Sequence, residues 1–205
     1  MAKALSYFTD ASICMTPSGS IGIASMIVVE RGPYGRPIQR DQRVVRILGR
    51  DISYLEATAI LMALEYAHQQ PTQKIYIYSD SLEIYKKVTS LLDAASGKSS
   101  TPKWVQKKQL KSYELLSIDI AMLIDEYQEK FGQVEYSWCK GHCSDVYEQI
   151  QGQRANGFSP SFQDCYFMTW GNARADEWAH NSALSSVATS IEQYQPPPFF
   201  INPFK

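Results

Sequence analysis

Little in this chain is abundant enough to announce a class. Three histidines and four cysteines in 205 residues cannot build a disulfide framework. Cys139, His142, Cys143, Cys165 and His180 also match no common zinc-finger spacing. No apolar run approaches the roughly 18 residues that span a bilayer, and the first residues lack the apolar core of a secretory signal. Neither charge dominates, because 20 Lys and Arg stand against 21 Asp and Glu, a net charge of -1. A polyanion must therefore be met by a local patch. No internal repeat suggests a solenoid. The expectation is a cytoplasmic chain with reduced cysteines, no membrane segment, and one domain with a proper core, and a monomer is expected.

The apolar period changes along the chain. Ala4 to Thr9 is a β-prone run ending at Asp10, and Thr16-Pro17-Ser18-Gly19 turns into a second strand, Ile21 to Glu30. A loop with Gly32, Pro33, Gly35 and Pro37 leads to a third strand around Val44 to Leu48. From Ser53 to about Gln69, Leu55, Ala59, Ile60, Ala63, Leu64 and Ala67 recur at helical spacing, and Ser53 with Glu56 fits a capping box. Lys74 to Ser79 is a fourth strand, after which Asp80-Ser81 caps a helix. Lys103, Trp104, Lys107, Lys108 and Lys111 form a basic segment before a helix from about Ser112 to Phe131. Val134, Tyr136 and Trp138 alternate with polar residues as a fifth strand. Residues 143–171, rich in aromatics and without sustained period, are read as a long loop with room for one short helix, and Asn172 to about Ile191 as the last helix. Residues 1–192 thus make one domain, followed by a proline-rich extended tail over 193–205.

This order predicts an α/β fold with a five-stranded mixed sheet. Three strands joined by hairpins come first, and right-handed helical crossovers place strands four and five parallel to strand one, with helices on both faces. Parallel strands end on one edge, the edge where open sheets bind ligands. Asp10, Asp80 and the Lys140-Gly141-His142 turn all fall there, and Glu56 and Asp176 reach the same rim if their helices pack across the sheet. Crowded carboxylates raise one another's pKa unless a cation lies between them. An all-oxygen donor set favours Mg2+ or Mn2+ over zinc. Two such ions about 3.5–4 Å apart would hold a phosphodiester, activate a water and stabilise the leaving oxygen, so hydrolysis of a phosphodiester is the expected chemistry.

The segments Tyr7-Phe8-Thr9-Asp10-Ala11-Ser12, Leu55-Glu56-Ala57-Thr58-Ala59, Tyr78-Ser79-Asp80-Ser81, Trp138-Cys139-Lys140-Gly141-His142 and Gly171-Asn172-Ala173-Arg174-Ala175-Asp176-Glu177-Trp178-Ala179 together resemble the type 1 ribonucleases H of bacteria and eukaryotes. The resemblance runs in the family's order over residues 4 to 190. It implies that Asp10, Glu56, Asp80 and Asp176 are metal ligands for two Mg2+ ions, with Mn2+ as the substitute. His142 would be the mobile residue that assists the attacking water or product departure. The implied substrate is the RNA strand of an RNA–DNA hybrid, cut internally to leave a 5′-phosphate and a 3′-hydroxyl. Ser12, Thr16, Ser53 and Asn172 stand as candidate substrate contacts, and Trp104, Lys107 and Lys108 resemble the basic protrusion that some members lay along the DNA strand.

The chain also departs from that pattern. Ala11 replaces the usual glycine after the first aspartate, Ile52-Ser53 the usual asparagine pair, Leu82 a frequent glutamine and Thr16 a frequent asparagine. Ser12, Thr16 and Ser53 can still hydrogen-bond in a minor groove lined by 2′-hydroxyls; Ile52 and Leu82 cannot. Where the family has a few residues between its histidine and the last motif, this chain has the long 143–171 segment. Two other functions fit the same fold: a nuclease for another nucleic acid, and a non-catalytic binding or scaffolding domain. The tail, with Gln193 ahead of Phe199-Phe200, resembles peptides that dock on sliding clamps, although Pro196 stands where an aliphatic residue is expected.

Overall fold

The structure, a computed structural model, describes residues 4–16, 19–33 and 36–185. The 193–205 tail, and any continuation of the last helix beyond 185, lie outside the described residues. β1 (Leu5–Thr16), β2 (Gly19–Arg31) and β3 (Pro37–Leu48) form an antiparallel ladder, and β4 (Lys74–Ser79) and β5 (Gln133–Trp138) add to it in parallel. The spatial order is β3-β2-β1-β4-β5.

Strand alternation divides the core into two layers. Tyr7, Met26, Val28, Ile75 and Ile77 face α1 (Ile52–Gln69), α2 (Leu82–Ala95) and α3 (Ser112–Lys130). Phe8, Ile27, Val29 and Tyr78 face α5 (Phe162–Ser185), meeting Phe167, Met168 and Ala175. Farther along α5, Ala179 and Ala183 close on Ile21 and Ile23. The small side chains let the helix lie close to the sheet.

Three local expectations are corrected. β1 does not stop before Asp10: its parallel pairing with β4 ends at Thr9 opposite Ser79, while its antiparallel pairing with β2 continues to Thr16 opposite Gly19. Asp10 is thus the first residue of β1 whose β4 side is open. The cap of α1 is Asp51, whose carboxylate accepts the Tyr54 N–H at 2.9 Å, so Ser53 lies inside the first turn. Ser81 precedes α2 without a side-chain capping bond, and Asp80 is left for other work.

The 143–171 segment is largely helical. α4 (Val146–Ala155) is capped by Asp145, which accepts the Glu148 N–H at 2.9 Å. Ser161 and Asp164 then bond reciprocally at 2.6 and 3.1 Å and start α5 ten residues before Asn172. Gly171 resembles a helix boundary in the sequence but sits within α5, because a Cβ there would run into the Phe8 ring. Its glycine serves close approach rather than chain reversal.

Candidate active site

Alternation on β1 points Phe8, Asp10 and Ser12 to the α5 side of the sheet. Ser25, a polar residue at the centre of apolar β2, fixes how α5 crosses them. Its hydroxyl is 2.9 Å from the Ala175 carbonyl and 3.4 Å from that of Asp10. Asp176 is therefore held one residue beyond an anchored point. Its side chain is 41% exposed at the rim, and its Oδ2 is 3.6 Å from His142 Nδ1.

Asp10 is 5% exposed and its Oδ1 accepts the Ala11 N–H at 2.7 Å. Burial pushes its carboxyl well above the usual range; Asp80 pushes it further, the Ala11 N–H opposes this, and Asp176 and Glu56 add to the rise. All three other acids thus act on Asp10. Burial also raises Asp80, opposed by His142 and by the amide of Asn172 and reinforced by Asp176. Glu56, in the second turn of α1, is pushed up to about 7, chiefly by burial, with a hydrogen bond from Ser81 opposing and Asp80 adding to it.

Asp80 follows the last residue of β4, and its carboxylate lies against the turn after β5. A Cβ on Gly141 would overlap Asp80 Oδ2. The Trp138 indole donates to the Asp80 carbonyl at 2.9 Å, tying the ends of the two strands together. His142 leaves this turn with φ 50 and a side chain 79% exposed, so the imidazole projects from a strained backbone into the rim.

Among the described residues, Asp10 Oδ2 and Asp80 Oδ1 are buried without a hydrogen-bond partner. Orphaned, raised carboxylates fit an oxygen-preferring divalent cation, which would satisfy both atoms and lower both pKa values. As they stand, no three His, Cys, Asp or Glu side chains among the described residues are gathered closely enough to hold an ion. The four acids share an electrostatic field at one rim without being drawn onto one centre.

The remaining candidates divide by position. Ser12 is half-buried on β1 two residues beyond Asp10, and Ser53 is half-buried in the first turn of α1. The side chain of Thr16 lies outside what is described. Asn172 is 4% exposed and points inward, where its Oδ1 accepts from the Cys139 thiol at 3.3 Å and its amide faces Asp80. In the basic segment, Trp104 is half-buried, with its indole 3.5 Å from Ser90 Oγ and its ring under the Lys87 ammonium. Lys107 bonds Glu114 at 2.9 Å, and Lys108 is exposed.

Glu114, which composition alone does not single out, is the node of that segment. It is 1% exposed and bonds Lys87 at 3.0 Å, Lys107 at 2.9 Å and the Lys111 N–H at 2.9 Å. Burial alone would raise its carboxyl, but the Lys111 N–H, Lys107 and Lys87 outweigh burial and hold it at about 2. Sequence reasoning missed Ser25 as well. A serine amid Ile21-Gly22-Ile23-Ala24 and Met26-Ile27-Val28-Val29 was its signal.

A sheet of order β3-β2-β1-β4-β5 with acids on the rim of its parallel strands defines a ribonuclease H-like α/β fold. The RNase H family model matches residues 2–183, and the chain belongs to that family. Among solved structures, the RNase H domain of PFV is 15% identical, with a TM-score of 0.59 over 90% of this chain and 96% of that one. The Prototype Foamy Virus protease–reverse transcriptase is 16% identical, with a TM-score of 0.53 over 88% of this chain and 21% of that one. LC9-RNase H1, a type 1 RNase H with the type 2 active-site motif, is 16% identical, with a TM-score of 0.52 over 98% and 92% of the two chains. No curated protein sequence matches. Among the described residues, no helix is long and apolar enough to cross a membrane.

Proposed function

We propose that this protein is a divalent-metal-dependent ribonuclease H that hydrolyses the RNA strand of RNA–DNA hybrids to 5′-phosphate and 3′-hydroxyl ends. Family membership supports the reaction class. The observation that carries the site is the pair of buried, unpartnered oxygens on Asp10 and Asp80, within a rim where the three other acids all act on Asp10.

Asp10, Glu56, Asp80 and Asp176 would hold Mg2+, or Mn2+ in its place, and two such ions would supply Lewis-acid stabilisation of the phosphate and a nucleophilic water. The protein's own part is positional. Ser25 fixes α5 so that Asp176 reaches the rim, and Ser81 orients Glu56. Asn172 holds Asp80 from the buried side, which makes it a positioning residue. His142, exposed and 3.6 Å from Asp176, takes or delivers a proton at the solvent side of the scissile bond. Ser12 and Ser53 flank the rim as contacts to the hybrid, and Lys108 with Lys103 offers cations to the other strand.

Ile52, 40% exposed at the start of α1, weakens the polar reading of the minor groove and favours a second possibility, a nuclease of the same fold with a different preferred nucleic acid. One labelled sequence presented as hybrid, duplex RNA and duplex DNA, with Mg2+, Mn2+ or chelator, separates the two. Cleavage of the hybrid's RNA strand alone, abolished by chelator, is expected. Equal cleavage of duplex RNA would replace the first reading by the second.

A further inference from the structure

β5 is an edge strand, and its C-terminal end carries the turn to His142. Its inner side stays paired to the end, since the Cys139 N–H donates to the Ser79 carbonyl at 3.0 Å. The outer side would leave backbone groups of Trp138 and Lys140 without a strand to pair with. α4 covers that side in an unusual way. The two buried residues of this helix are both amides, Gln149 at 0% and Gln153 at 2% exposure. A helix held by packing alone would bury an apolar stripe there.

The two amides replace a missing strand. Gln153 Nε2 donates to the Trp138 carbonyl at 2.7 Å. With its amide oriented to match its neighbours, Gln149 donates to the Lys140 carbonyl at 2.9 Å and accepts the Lys140 N–H at 3.0 Å. It also accepts a second N–H of Gln153 at 3.0 Å. The helix lies close against this residue: a Cβ on Gly152 would come within 2.5 Å of Lys140 Cδ. The other end of the turn is tied as well, because the Ser144 N–H donates to Glu148 of α4 at 2.8 Å. The turn containing His142 is therefore gripped by α4 on both flanks, while the imidazole itself remains 79% exposed.

We propose that α4 is a brace for the His142 turn, in which Gln149 and Gln153 complete the backbone hydrogen bonds of Trp138 and Lys140 and so set where the imidazole stands against Asp176. Gln149 is a positioning residue acting through the Lys140 backbone. The role given to His142 rests on the ribonuclease H function proposed above; the brace itself does not.

The test uses the full chain and Gln149→Met, with Gln153→Met as the second variant, and reads backbone hydrogen exchange as well as hybrid cleavage in Mg2+. In Gln149→Met the Lys140 amide should lose protection by about tenfold or more, while the core amide of Ile77 stays protected and shows the fold intact. The kcat on hybrid should fall by about tenfold with KM little changed, since a turn displaced by about 1 Å disturbs a placed group more than overall binding. Gln153→Met should do the same more weakly and leave the Lys140 amide protected. In a His142→Ala background Gln149→Met should cost no further kcat. Unchanged Lys140 protection in Gln149→Met, or an undiminished loss of kcat in the His142→Ala background, would overturn the proposal. If the wild type cut no hybrid, the proposed function would fail, and the exchange measurement would still decide the brace.

Discussion

Replacing Asp10 by asparagine should make the metal-free protein more stable at neutral pH. Asp10 is 5% exposed, and its carboxyl is raised by burial, then by Asp80, Asp176 and Glu56. A native carboxyl that keeps its proton to pH 7, against an ordinary value of 3.8, lowers stability there by at most about 4 kcal/mol, at about 1.36 kcal/mol per pH unit. Sharing of protons among four acids, and water at the rim, should reduce the net gain on substitution to about 1–3 kcal/mol. In a chain of this size that is a Tm rise of roughly 2–10 °C. The sign follows from proton counting. Below about pH 4 the native and unfolded carboxyls are both protonated and the penalty vanishes; as pH rises the unfolded chain ionises first and the penalty grows. Thermal or urea unfolding in chelator at pH 4.5 and 7.5 should thus show a small gain for Asp10→Asn at the lower pH and the full gain at the higher. Saturating Mg2+ should reverse the order, since an ion at about 1,000 times its Kd adds about 4.1 kcal/mol to the wild type alone. An Asp10→Asn protein no more stable than wild type at pH 7.5 in chelator, or with the same gain at both pH values, would refute the reasoning.

Three further outcomes are expected. Gly141→Ala should push its methyl against the Asp80 carboxylate and lower hybrid cleavage on the order of tenfold or more, with far-UV circular dichroism unchanged. Gly171→Ala should force the Phe8 ring and α5 apart and destabilise by about 1–3 kcal/mol in denaturant titration. Glu114→Gln should destabilise by about 2–3 kcal/mol near neutral pH by leaving Lys87 and Lys107 without their carboxylate. Because Glu114 is lowered from 4.5 to about 2, its contribution is present above pH 4.5, so the gap between the two proteins should close as pH falls from there toward 2.

Much of the fold could be read from period and punctuation. β4 matches its reading residue for residue, because Lys74 to Ser79 is a β-prone run bounded by turns. The rim was legible too, since crossovers through helices place the ends of β4 and β5 beside Asp10 of β1 before any side chain is seen. What resisted reading were residues whose reason lies in another element. Gly171 has its reason in the Phe8 ring and not in its own helix, so it looked like a boundary. Gln149 and Gln153 look like surface residues until the unpaired edge of β5 is placed beside them. Lys107 and Trp104 look like groups for a polyanion, yet one bonds buried Glu114 and the other packs under Lys87. The sequence pattern places Asp10 at the end of a strand, whereas β4 ends beside it and β1 runs on.

The most direct measurement is Mn2+ binding to the nucleic-acid-free protein, followed by electron paramagnetic resonance and competed with Mg2+. Binding by the wild type, displaced by Mg2+ and sharply weakened in both Asp10→Asn and Asp80→Asn, is the predicted result. Binding that is equal in all three proteins would show that the acids at the sheet edge do not hold the ion.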